Sequence, residues 1–361
     1  MKDNDNILDY IKKYKDITFK EVPFNDVDAL ILAELAYFPF DQYQNKKYID
    51  NETLKYYLDN NLIKVDSRRR QWDLKLLNYV SHSNRFYNIE ASDFIKDNSL
   101  ENQKQFQAVT FHFGDLLYVA FAGTDSSIVG WKEDMNLTYQ ENIPSDINAL
   151  TYLENILKAY PNKKVYLGGH SKGGRIAIYS LKNLKDESPI INAYNFDGPG
   201  FVDAFYDEKY QQIAHKIKKI IPTESIIGRL INPQKEVIVI KSNKRSIYQH
   251  DTYNWIVDGD KFRIDESRGG NKIANILNMC YYSFTNEEKQ IITDTAFDIL
   301  ISLNITKIGT KDYNIILAKE AFKHLGGVYR SLPIQRKQAL KDFISFFIKE
   351  VIKEYRPHKR N

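Results

Sequence analysis

The sequence predicts an α/β fold: a mainly parallel central sheet covered by helices on both faces. A helical N-terminal segment and a C-terminal helical extension flank it. Two observations predict this. Strand-like runs alternate with helical patterns between about Phe86 and Asp265, namely "KQFQAVTFHFGDLLYVAF", "KKVYLGGHS", "INAYNF", "KIKKII" and "EVIVIKS". Strands separated by helices build parallel sheets with both faces buried. Before and after that region, apolar residues recur at helical spacing instead.

The first part, to about Tyr79, reads as helical. Asp26 is expected to cap a helix through Ala29, Leu30, Leu32 and Leu35, which Pro39 ends. Around Gly114-Asp115 two alternating runs predict a hairpin, with Phe106, Val109, Phe111 and Phe113 in one strand and Leu117, Val119 and Phe121 in the other. A helix is expected around Ser145–Tyr160, with Ser145 and Asn148 as a partial capping signal, and another over Gly174–Leu184. After Asp265 the strand signals stop. Thr285 and Glu288 form a capping box for "NEEKQIITDTAFDILISL", a long amphipathic pattern runs from Leu332 to Tyr355, and "RPHKRN" reads as a frayed tail. The expected organisation is a helical segment over 1–85 packed on the core, the α/β core over 86–265, and a helical subdomain over 266–361.

The chemistry concentrates at Gly169-His170-Ser171-Lys172-Gly173, inside "VYLGGHSKGGRIAIYSL". This is G-x-S-x-G between an apolar strand and an amphipathic helix, the context a nucleophile elbow requires. The serine sits on a strained turn, Gly169 and Gly173 let neighbouring backbone pass, and the helix N-terminus favours developing negative charge. A phosphate-binding loop would need Gly-Lys-Ser/Thr, whereas Lys172 is followed by Gly173 and Gly174.

"YVAFAGTDSSIVGWKEDMNL" followed by "VYLGGHSKGG" resembles the class 3 (fungal-type) lipases, in which a strand ending in Gly-Thr precedes a Trp, an Asp and the elbow. With "YNFDGPGF", "KIIPTESIIG" and "YQHDTYNW" the chain looks closer to an uncharacterised bacterial branch of lipase-like proteins. The resemblance covers about Lys20 to Asp265 and implies an α/β-hydrolase fold and carboxylic-ester hydrolysis. It departs at Ala122, where the family has arginine, and at Ser225, which occupies the column of the usual acid.

A serine nucleophile needs a base, and the hydrolase order is Ser, acid, His. His82 and His112 precede the serine, and His170 adjoins it on the elbow. His215 lies before a strand, and His324 and His358 fall in the helical tail. That leaves His250, in a loop after "EVIVIKS", where the resemblance also puts the family's histidine. Two acids stay open. Asp197 follows the strand "INAYNF", at the sheet edge that carries the elbow; Glu224 lies in the stretch that resembles the lipase acid segment. Asp251, adjacent to the base, would have to fold back on it. The oxyanion hole calls for the amides of Lys172 and Thr124, with the Thr124 hydroxyl as a third donor. By resemblance Trp131 and Asp134 support that loop. The Lys172 ammonium either favours an anionic substrate group or, as is preferred, points to solvent.

The bulk properties narrow the alternatives. In 361 residues, 51 basic and 47 acidic side chains leave a net charge of +4, and no Lys/Arg block interleaves with aromatics, so no nucleic-acid partner is expected. Membrane-surface contact is not required. The single cysteine, Cys280, sits in the apolar stretch "ILNMCYYSF" and is expected to pack as a small hydrophobe. It excludes Cys-rich zinc modules and fits a reducing compartment. "MKDNDNILDYIKKYK" holds no uninterrupted apolar run, and "ALILAELAYF" is short and interrupted by Glu34, so a cytoplasmic protein is expected. Metal-ligand spacings are absent, and neither a metal nor a cofactor is expected. The expected substrate is a small-molecule or lipid ester, with Phe201–Ile213 as a lid or as ordinary helix packing. An acyltransferase, or a non-catalytic binding protein on a degenerate hydrolase fold, are the alternatives.

Overall fold

The computed structural model describes residues 5–40, 48–60, 62–63, 70–231, 236–267, 269–308 and 326–355. His324, His358 and the "RPHKRN" tail lie outside them. Eight strands form one sheet in sequence order: β1 (Tyr48–Ile49), β2 (Glu90–Ser99), β3 (Lys104–Phe113), β4 (Leu116–Phe121), β5 (Lys164–His170), β6 (Ile190–Phe196), β7 (Ile217–Pro222) and β8 (Ile238–Ile240). β1 to β4 pair antiparallel, and β4 to β8 run parallel. The expected hairpin is β3–β4, turned at Gly114 with φ +59°. β2 was not expected; much of it is solvated and a bulge between Ser92 and Ile95 interrupts its register, so no clean period-2 pattern marks it. A small ribbon, β9 (Val257–Asp258) with β10 (Lys261–Phe262), follows the sheet.

Among the described residues the α-helices are α1 (Ile7–Tyr14), α2 (Asp26–Leu35), α3 (Asn51–Asp59), α4 (Arg70–Ser81), α5 (Ile128–Asn136), α6 (Pro144–Ala159), α7 (Lys172–Asn183), α8 (Glu208–Ile213), α9 (Lys272–Ser283), α10 (Asn286–Ser302) and α11 (Ile334–Tyr355). Strand order dictates how they are used. From β4 on, each parallel strand adds on the same side of the last, and right-handed crossovers then put their helices on one face. That face carries α6 and α7, whose Leu153, Ile156, Ile176 and Leu181 pack with Phe121 and Leu167. Among the described residues the other face has no crossover α-helix of its own. α1, α2 and α4 fill it, with Ile7, Leu30, Leu32 and Leu77 against Tyr118, Ala120, Tyr194 and Phe196. The N-terminal helices thus close the core.

Two local expectations are corrected, and one open alternative is decided. The cap of α2 is Asn25, not Asp26: Asn25 Oδ1 accepts from Val27 N at 2.9 Å, and Asp28 reaches back to Asn25 N at 3.0 Å. Asp26 is turned outward and pairs with Lys218 at 2.7 Å. Helix α6 begins at Pro144, and Asp146, not Asn148, bonds the amide of Ile143 at 3.1 Å. Of the two readings of Phe201–Ile213, helix packing is what the structure contains. Phe201, Tyr210 and Ile213 are buried in the α7-side core, and Phe201 stacks on Phe205 with ring centroids 3.6 Å apart.

Beyond Asp265, α11 packs on both α9 and α10, with the expected Thr285–Glu288 capping box in place. Cys280 is buried in α9, and burial raises its thiol pKa. No helix of the described residues is long and apolar enough to cross a membrane.

Candidate active site

β5 ends at His170 and α7 begins at Lys172, so Ser171 alone makes the turn. Its φ of 58° and ψ of −131° lie where a residue with a Cβ is strained, at a cost on the order of 1–3 kcal/mol. The two elbow glycines have a steric cause. A Cβ on Gly169 would lie 2.4 Å from the Phe121 carbonyl oxygen, and one on Gly173 2.1 Å from the same atom. The end of β4 therefore passes directly against the elbow. This contact brings Gly123 and Thr124 beside Ser171; a Cβ on Gly123 would fall 3.1 Å from the serine Cβ.

His250 closes a 3₁₀ turn, Ser246–His250, after β8. Its Nε2 lies 3.1 Å from Ser171 Oγ, and its Nδ1 lies 2.7 Å from Asp197 Oδ2. A carboxylate accepts, so Nδ1 carries the ring proton and Nε2 faces the serine hydroxyl with its lone pair. Asp197 follows β6 with φ 53° and is fully buried. Its amide donates to Ile220 O at 2.9 Å, and its second oxygen accepts from the Ser225 hydroxyl. Ser225, which follows β7, thus holds the candidate acid Asp197 at the end of β6. The other candidates are engaged elsewhere. Glu224 accepts from Ser246 N at 2.8 Å, and Asp251 accepts from Tyr253 N at 3.3 Å.

The oxyanion side differs from expectation in two respects. The Thr124 hydroxyl donates to Asp134 Oδ2 at 2.6 Å, so it orients the loop instead of offering a third donor. Burial pushes the Asp134 carboxyl up to about 6, against the lowering effects of Lys172 and of the Thr124 hydroxyl. The Lys172 side chain does not reach solvent. It is 1% exposed, and its ammonium bonds Glu133 Oε2 at 2.6 Å, Gln105 O at 2.7 Å and Gln105 Oε1 at 2.9 Å. The cause is the fully buried Glu133 carboxylate, which would otherwise lack a counter-charge. The Lys172 amide remains as the first N–H of α7, a position without an intrahelical acceptor.

Sequence reasoning missed several neighbours. Lys219, on β7, is buried, and its ammonium has no hydrogen-bond partner among the described residues; desolvation lowers its pKa to about 8, against the pull of Asp197. Tyr37, Glu34 and Thr252 gather behind His170 and His250. One signal was present: Glu34 interrupts the most apolar run of the chain, and a charge there has to meet a buried partner. Among the described residues no three His, Cys, Asp or Glu side chains are grouped as metal ligands would be.

The sheet, the elbow and the flanking helices define a protein of α/β-hydrolase fold. The family model described as Mbeg1-like matches residues 80–298, and the chain belongs to this Mbeg1-like family. No curated protein matches it. Among solved structures it is similar to the lipase from Rhizopus microsporus var. chinensis, at 16% identity over 71% of this chain and 80% of that one, with a TM-score of 0.37. Lipase II from Rhizopus niveus matches at 15% identity over 62% of this chain and 79% of that one, TM-score 0.36. The Lip2 lipase from Yarrowia lipolytica matches at 14% identity over 42% of this chain and 66% of that one, TM-score 0.32.

Proposed function

We propose that the protein is a serine hydrolase acting on carboxylic esters, with Ser171 as nucleophile, His250 as base and Asp197 as the acid that orients it. The observation that carries this reading is His250 standing between the other two, at 3.1 Å and 2.7 Å. Ser171 Oγ adds to the ester carbonyl carbon while its proton passes to His250 Nε2. The amides of Thr124 and Lys172 face the oxygen that takes up the negative charge. Collapse breaks the bond to the alcohol oxygen, which leaves with the proton from His250. Water then repeats the sequence on the acyl-serine, releasing the acid and restoring the serine. Asp197 stays ionised throughout and stabilises the imidazolium. If an alcohol replaced water in the second half, the same groups would perform acyl transfer.

A strained serine, a relayed histidine and a buried acid are costly to hold together, which favours an enzyme over a binding module on the same fold. The single buried thiol fits the cytoplasm as its place of action, and the motifs fit the bacterial lipase-like branch. The test is labelling of purified protein by a fluorescent fluorophosphonate. Wild type should label, and Ser171→Ala and His250→Ala should not. Turnover of p-nitrophenyl esters of graded chain length then defines the acyl preference. Folded wild-type protein that takes no label would remove the hydrolase reading.

A further inference from the structure

We infer that His170, the residue before the nucleophile, is a positioning residue that holds the base His250 in register with Ser171. The inference rests on the hydrolase reading above. His170 is 4% exposed and closes β5. Its Nε2 lies 2.9 Å from the main-chain oxygen of His250, and the two imidazole centroids are 4.5 Å apart. A carbonyl oxygen only accepts, so His170 Nε2 carries a proton and donates it. Its Nδ1 faces the Tyr37 hydroxyl at 3.1 Å and a Glu34 carboxylate oxygen at 3.6 Å. In the neutral ring Nδ1 accepts from the Tyr37 hydroxyl, which also reaches the His170 main-chain oxygen at 3.3 Å, and this favours the tautomer with the proton on Nε2 that the His250 carbonyl requires. In the charged ring both nitrogens carry protons. Either way the donor to His250 is retained.

The need for such a clamp follows from where the base sits. His250 lies in a 3₁₀ turn beyond the sheet, outside any strand ladder. Ser171 is fixed by β5 and α7. His170 is bonded covalently to Ser171 and by hydrogen bond to the backbone of His250, so the separation of nucleophile and base is set by one rigid ring. Glu34 adds a second tie, accepting from the Thr252 hydroxyl at 2.9 Å, two residues beyond the base. Glu34 is 1% exposed and Thr252 fully buried, so water does not compete for this contact. A misplacement on the order of 1 Å at such a site can cost about 100-fold in rate.

The experiment compares His170→Phe, which keeps the ring shape without the donor, with His170→Gln, whose side-chain amide restores a donor at similar reach. Three quantities are read: the rate of fluorophosphonate labelling, the low-field proton resonance of His250 Nδ1–H against Asp197, and the thermal midpoint. Labelling should slow by about 10- to 100-fold in His170→Phe and recover most of the wild-type rate in His170→Gln. The low-field resonance should be weakened or lost in the first and present in the second, at comparable thermal midpoints. Tyr37→Phe, which frees the tautomer, should give an intermediate loss and serves if His170→Phe does not fold. Wild-type labelling and resonance in both His170→Phe and Tyr37→Phe would overturn the inference. So would equal losses in Phe and Gln that follow the thermal midpoint. Should wild type itself take no label, the hydrolase reading falls, while the resonance still decides whether His170 positions His250.

Discussion

The ammonium of Lys172 lies 2.6 Å from the Glu133 carboxylate, and both side chains are sealed from solvent. Glu133 also accepts from Gln105 N at 3.0 Å and Ser145 N at 2.9 Å, so one carboxylate joins β3, α5, the start of α6 and the start of α7. The amide of the same lysine faces the proposed oxyanion hole. Its side chain therefore anchors the donor, and is turned away from any substrate.

Removing one partner of a buried pair leaves the other charge without compensation, at a cost of about 3–5 kcal/mol. Lys172→Met should lose stability on that scale in urea denaturation. Adding Glu133→Leu should recover part of it, because the stranded carboxylate is then gone. A single variant as stable as wild type would show that the pair contributes nothing to the fold.

The two candidate acids separate by activity. Asp197→Asn keeps the shape but forces the wrong His250 tautomer, and should slow Ser171 labelling by about 10³- to 10⁴-fold. Glu224→Gln should label near the wild-type rate, since Glu224 bonds the Ser246 amide and does not reach the histidine. Reversed effects would transfer the acid's role to Glu224.

Asp134 gives a pH-dependent stability. Its carboxyl is pushed from 3.8 up to about 6 by burial, so the folded state binds the proton more tightly than the unfolded chain. Ionised Asp134 therefore works against folding above pH 6, and this cost fades as the pH falls through 6 towards 4. Asp134→Asn removes the charge. It should raise the stability at pH 8 by an amount on the order of 2 kcal/mol, and change it little at pH 4. Thermal melts of both proteins across this range check the sign.

The elbow glycines fail on steric grounds. Gly173→Ala puts a methyl 2.1 Å from the Phe121 carbonyl oxygen and 2.9 Å from Ala122 C, atoms of a central strand and its exit that cannot retreat. A loss of about 3 kcal/mol or more is expected by urea denaturation. Gly270→Ala, where the added methyl would meet no atom of the described residues within 4 Å beyond its chain neighbours, should be neutral by the same assay.

The sequence by itself determined the α/β class, the hairpin at Gly114 and the elbow at Ser171, because these are local patterns. Period-2 apolar runs, a turn glycine and G-x-S-x-G between strand and helix are all encoded within a few residues. It narrowed the candidate base to His250 through chain order, and left Asp197 and Glu224 both open as the candidate acid. Only the tertiary structure decided what long-range contact controls. Asp197 and Ser225 lie 28 residues apart and Ser171 and His250 79 apart, and no local pattern reports that they meet. Lys172 reads as a surface residue until Glu133, 39 residues away, is placed beneath it. Glu34, Tyr37 and Thr252 gain meaning only because a one-way progression of parallel strands leaves a bare sheet face. The N-terminal helices must cover that face, and in doing so they carry buried polar groups to the back of the site.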